Sequence, residues 1–178
     1  MRPLGIPDVL EIQPRAFGDV RGRFAELYRA DGYAALGHEF VQDNLARSAR
    51  GTLRGMHYQI EQAQGKLVTA LEGEVFDVAV DMRRSSATFG QWVGLQLSGE
   101  RLNQIWVPPG FSHGYYVMSE VAVVVYKVTA LYAPDYERTL RWDDADVGIE
   151  WPFPAGEAPL LSDKDRAGKL WGEADAYA

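Results

Sequence analysis

The chain has 178 residues, is 47% hydrophobic, carries a net charge of −7 and contains no cysteine. These figures fit one domain spanning 1–178 with a substantial core, and they exclude disulfides and thiolate metal sites. A nucleic-acid binder would show a basic stripe, and no apolar run here is long enough to span a bilayer, so neither nucleic acid nor membrane is an expected partner. The start lacks a charged-then-apolar leader, which makes the cytoplasm the expected location.

In chain order, the first predicted element is a helical turn or two around Asp31 to Leu36. The segment Gly51-Thr52-Leu53-Arg54-Gly55-Met56-His57-Tyr58-Gln59, with Gln64-Gly65-Lys66 close behind, carries the most chemistry. One of only three histidines lies there between an arginine and a lysine. Imidazole exchanges protons near neutral pH, and adjacent cations favour its neutral, basic form. The same cations suit an anionic substrate or a developing oxyanion, so the cluster points to proton abstraction beside a carbonyl. Strict strand alternation would put Arg54 and His57 on opposite faces, and Gly55 between them marks a possible bulge that turns both inward.

Beyond Lys66, period-two patterns dominate. Strands are predicted over 66–71, 75–81, 91–97, 104–108 and 121–128, rich in β-branched residues. Turn signals separate them at Glu72-Gly73-Glu74, Arg84-Ser85-Ser86, Ser98-Gly99-Glu100 and Pro108-Pro109-Gly110. A last helical segment is predicted after Ser162. Many short, closely spaced strands predict an antiparallel sandwich or barrel.

Spacings within this pattern resemble cupin jelly-roll barrels. Gly51 and His57 have the spacing of a first cupin motif, and Pro108-Pro109-Gly110-Phe111-Ser112-His113 that of the second. Gln59 takes the place of the second histidine and no glutamate falls at the third ligand position, so no metal is expected.

The resemblance then narrows. Phe17-Gly18-Asp19-Val20-Arg21-Gly22, Val41-Gln42-Asp43-Asn44, Leu53 to Gln59, Gln64 to Val68, Gly73 to Asp81, Trp106 to Gly114, Tyr126-Lys127, Gly148 to Pro152 and Leu161 to Asp165 follow one family's order over nearly the whole chain. That pattern is similar to the dTDP-4-dehydrorhamnose 3,5-epimerase family of metal-free, cupin-like enzymes. It implies an all-β jelly roll with short peripheral helices, no cofactor, and a homodimer that exchanges N-terminal strands. The implied substrate is a dTDP-linked 4-keto-6-deoxy sugar, whose C3 and C5 protons both lie α to the C4 carbonyl.

The resemblance makes His57 the general base and Tyr126 the acid on the opposite face of the sugar. Taken alone, a tyrosine in an apolar strand is most often a core residue. Lys66, one of four lysines, is the natural partner for the C4 oxyanion, because an ammonium is a compact charge. Asp165 is the implied carboxylate that orients His57, although Ser162-x-x-Asp165 also reads as a helix-capping arrangement and Asp77 and Asp163 compete for the role. Nucleotide-sugar binding carries over onto Arg21, Glu26, Gln42, Asn44, Arg54, Glu137 and Lys164, with His113 near the barrel mouth. Guanidinium forks suit diphosphate oxygens and amides a pyrimidine edge. Arg23 and Thr69 depart from the family's usual residues. Competing readings are an epimerase of C3 or C5 alone, a metal-dependent cupin isomerase or dioxygenase, and a sugar-binding module without catalysis.

Overall fold

β-Branched and aromatic side chains pack well on a pleated surface, and where they alternate the chain extends into strands. The computed structural model describes residues 1–178. Its strands are β1 (Arg2–Pro3), β2 (Leu10–Ile12), β3 (Arg15–Asp19), β4 (Gly22–Glu26), β5 (Gln42–Ala49), β6 (Leu53–Gln59), β7 (Lys66–Glu72), β8 (Glu74–Asp81), β9 (Trp92–Ser98), β10 (Gln104–Val107), β11 (Phe111–Val117), β12 (Val121–Val128) and β13 (Glu137–Thr139). The single α-helix, α1 (Asp163–Arg166), is one turn long. Every strand predicted from alternation is present and ends within one residue of its predicted limits. The helix predicted around Asp31 to Leu36 is only a 3-10 turn at Ala34–Leu36, closed by Gly37 in the left-handed region.

The strands form a six-stranded sheet ordered β1-β2-β10-β7-β12-β5, a five-stranded sheet ordered β13-β6-β11-β8-β9, and the separate β3-β4 hairpin. The two large sheets face each other. Val68, Ala70, Ile105, Ala122 and Val124 from one meet Val75, Ala79, Leu97, Phe111 and Val117 from the other, all buried. Burying each large side chain of this kind contributes ~1.5–3 kcal/mol. The result is an all-β, cupin-like jelly roll.

The bulge expected at Gly55 is present. His113 on β11 pairs with His57 on β6, whereas Tyr115, two residues on, pairs with Arg54, three residues back. The extra residue on β6 reverses the alternation, so Arg54 and His57 face the same interior. Gly55 has φ +143, and a Cβ there would lie 2.6 Å from Gly114 Cα. Only glycine permits that conformation and that approach of two backbones.

After β13 the chain crosses the outside of the five-stranded sheet and is held there by parallel bridges pairing Thr52 with Leu160 and Leu140 with Lys169. This route delivers α1 to the flank of β6. The β3-β4 hairpin, by contrast, pairs with neither large sheet; Arg23 donates to the Gly99 and Glu100 carbonyls, and Phe17, Val20 and Phe24 are exposed. No helix is long and apolar enough to cross a membrane.

Candidate active site

Between the two sheets lies a cavity of about 350 Å³ whose walls include Arg54, His57, Lys66, His113 and Tyr126. Each arrives by strand geometry. β6 presents Arg54 and His57 through the bulge, β11 presents His113, and β7 opens on Lys66. β12 presents Tyr126 from the opposing sheet, in register with Asn44 on β5.

His57 Nε2 donates to Asp165 Oδ1 at 2.6 Å. The competition among carboxylates is thus resolved by distance: Asp165 meets His57, and Asp77 meets His113. Asp165 also accepts from Gly55 N at 3.3 Å, and its second oxygen accepts from Ser162 Oγ at 2.6 Å. The Ser162–Asp165 capping box is complete, so one carboxylate both caps α1 and holds the imidazole. Burial pushes Asp165 up, but the hydrogen bonds from His57 and Ser162 overcome it and hold the carboxyl at about 2. An ionised carboxylate only accepts, so the proton sits on Nε2 and Nδ1 keeps a free lone pair. Burial lowers the His57 pKa, with the Asp165 hydrogen bond working against it. The ring is therefore neutral and basic at pH 7.

Lys66 is buried and donates to the His57 carbonyl at 3.1 Å. Burial lowers its ammonium to about 8, opposed by the charge of Asp77. Asp77 lies beneath the cavity with both oxygens accepting from His113 Nε2, at 2.8 and 2.9 Å. Burial raises the Asp77 pKa, and His113 counters it. Tyr126 is raised by burial and so remains a protonated phenol. No three histidine, aspartate or glutamate side chains converge closely enough to hold a metal ion.

At the mouth, Lys164 Nζ donates to Glu137 Oε1 at 2.8 Å and Tyr132 Oη to Glu137 Oε2 at 3.1 Å. Gln42 and Asn44 line the same opening, joined at 2.8 Å. Arg54 Nε donates to Ser48 Oγ at 3.0 Å.

Of the residues singled out from sequence, the fold brings His57, Lys66, Tyr126, Gln42, Asn44, Arg54, His113, Glu137 and Lys164 to one cavity, with Asp165 behind His57. Arg21 and Glu26 are not brought there by their own chain. Arg21, at the hairpin tip, pairs with Asp19, and Glu26 lies 3.6 Å from Arg29. Sequence order cannot show that a hairpin contributes nothing to its own chain's cavity. Gln59, noted from sequence only in place of a second cupin histidine, lines the cavity together with Tyr115 and Tyr132, and none of the three had been given a site role. Gln59 and Tyr115 each lie two residues beyond a named histidine, and that alternation could have found them. Tyr132 sits in a loop and carried no such signal.

A neutral imidazole on one wall, a protonated phenol on the other and an ammonium between them can move protons at carbon beside a ketone. The dTDP-4-dehydrorhamnose 3,5-epimerase family model matches residues 3–173. The dTDP-4-dehydrorhamnose 3,5-epimerase of Pseudomonas aeruginosa is 56% identical over 177 residues, covering 98% of this chain and 97% of that relative. Among solved structures, the dTDP-6-deoxy-D-glucose-3,5-epimerase of Legionella pneumophila, in complex with dTDP-4-keto-L-rhamnose, superposes with a TM-score of 0.94 at 49% identity, covering 98% of this chain and 93% of that one. A 3'-monoepimerase of Streptomyces bikiniensis in complex with dTDP-quinovose gives a TM-score of 0.89 at 35% identity, covering 96% of this chain and 87% of that one.

Proposed function

The chain belongs to the dTDP-4-dehydrorhamnose 3,5-epimerase family, and from that premise we propose how its residues divide the reaction. The enzyme is an isomerase that inverts C3 and C5 of dTDP-4-dehydro-6-deoxy-D-glucose to give dTDP-4-dehydro-L-rhamnose. His57 Nδ1 takes the proton from the carbon next to the C4 ketone. The electron pair moves onto O4, where the Lys66 ammonium balances the charge. Tyr126 delivers a proton to the opposite face of that carbon, the ketone re-forms, and solvent restores both groups. Asp165 orients the imidazole and fixes its tautomer. The second centre is treated in the same way, and no step calls on a metal or organic cofactor. Arg54 and Lys164 supply cationic contacts for the diphosphate, and Gln42 and Asn44 offer amides to the base. Glu137 and His113 complete the polar wall around the nucleotide sugar.

The observation that carries this reading is the 2.6 Å His57–Asp165 pair facing a phenol from the opposing sheet. Deuterium wash-in read by mass spectrometry tests it. Wild type is expected to take up label at both C3 and C5. Tyr126→Phe should retain slowed exchange yet fail to give the inverted sugar. Label confined to one carbon in wild type would instead make this a single-centre epimerase.

The chain is further proposed to act as a single domain over 1–178, as a homodimer and in the cytoplasm. Support for the dimer comes from the exposed Phe17, Val20 and Phe24 on the β3-β4 hairpin, and from the unpaired outer edge of β5. Seated on a second copy, the hairpin would carry Arg21 and Glu26 to the partner's cavity. Light scattering should give twice the chain mass, falling toward one chain mass and weaker dTDP binding in Phe24→Glu. A monomeric, fully active wild type would end this proposal.

A further inference from the structure

The reaction as drawn leaves one buried and unpaired group of the cavity unused. Tyr115 lines the cavity and is 3% exposed, and its hydroxyl has no hydrogen-bond partner. It pairs in register with Arg54 on one side and Asp77 on the other, next to the dyad level set by His113 and His57. Ser48 lies close enough to temper the rise that burial imposes on the phenol, but it makes no hydrogen bond of normal geometry. Ser48 Oγ accepts from Arg54 Nε at 3.0 Å, and no such bond joins it to Tyr115 Oη. Even a proton offered by Ser48 would leave the Tyr115 O–H without an acceptor.

Buried polar groups are nearly always paired, and an orphan is costly enough to call for an explanation. We propose that Tyr115 is a substrate-contacting residue whose hydroxyl donates to an oxygen of the nucleotide sugar beside Arg54. This deepens the epimerase reading and rests on it. The acceptor is either a diphosphate oxygen or a sugar oxygen. Both fit a phenol donor flanked by a guanidinium, and the test separates them. The other buried orphan, Ser112, is 0% exposed, one residue out of alternation with His113 and Tyr115, and outside the cavity lining, so it serves as the control.

Tyr115→Phe removes only the oxygen. Because that oxygen has no partner in the free protein, the melting temperature should hold or rise. The kcat/KM should nevertheless fall about tenfold, the size of one hydrogen bond to a charged or strongly polar oxygen. Weaker dTDP binding by calorimetry assigns the acceptor to the diphosphate, whereas unchanged dTDP binding with a raised KM assigns it to the sugar. Wild-type values for both dTDP affinity and kcat/KM in Tyr115→Phe would overturn the proposal. So would an equal loss in Ser112→Ala, since the effect would then be one of packing. Deuterium uptake by wild type reports on the epimerase reading separately, so the two can fail independently.

Discussion

His57→Ala is expected to lower kcat by roughly a hundredfold to ten-thousandfold, the range that a positioned acid or base supplies. Label uptake should cease at both C3 and C5, because one imidazole serves both centres. The fold should survive. Asp165 keeps its bonds from Ser162 and Gly55 when the imidazole is gone, so α1 remains capped and the carboxylate is not orphaned. Affinity for dTDP should stay within a few-fold of wild type, since the nucleotide contacts lie on other side chains. Exchange persisting at one carbon at the wild-type rate would require a second base and would break the single-base scheme.

Lys66→Met should cost about a hundredfold or more in kcat/KM, by analogy with the loss of one oxyanion donor. Methionine keeps an unbranched chain in a buried site, and Asp77 retains His113 as its partner. A stronger check comes from pH. Wild-type kcat/KM should rise with pH as His57 loses its proton, at a pKa that burial has moved below the 6.5 usual for imidazole. It should then fall through about 8, where Lys66 loses the ammonium that stabilises the enolate. The sign follows from the roles: the base works deprotonated and the oxyanion partner works protonated. Removing Lys66 should therefore abolish the limb near 8, and Lys66→Arg, always charged, should push it out of range. An alkaline limb unchanged in Lys66→Met would assign that titration to another group.

Strands rich in β-branched residues were legible in the sequence, β8 and β12 most clearly, because such side chains favour extended backbone. β5 was not. Its inward residues are polar or small, Gln42, Asn44 and Ala46 where they line the cavity and Ser48 buried beyond them, and Leu45 points outward. A strand that lines a wet site inverts the pattern by which strands are recognised. β11 failed for another reason: it is buried on both faces like β8, so it shows no alternation, and Val117 is its one β-branched residue. Most of the site was nevertheless readable, since motif spacing and family resemblance pointed to His57, Lys66, Tyr126 and Asp165. Arg21 and Glu26 were chosen on the same basis, yet within one chain they lie outside the cavity.

Residue order alone pointed to the all-β class through local periodicity, to the family through the resemblance of its motifs, and to the scarcity of groups able to perform acid–base chemistry through which side chains exist. Tertiary structure decided which carboxylate serves which histidine, that a bulge at Gly55 turns Arg54 and His57 to one side, and that Tyr115 is left without a partner. Those outcomes rest on distances between segments as much as 110 residues apart. Hydrogen bonds and burial act through space, and chain spacing does not fix them.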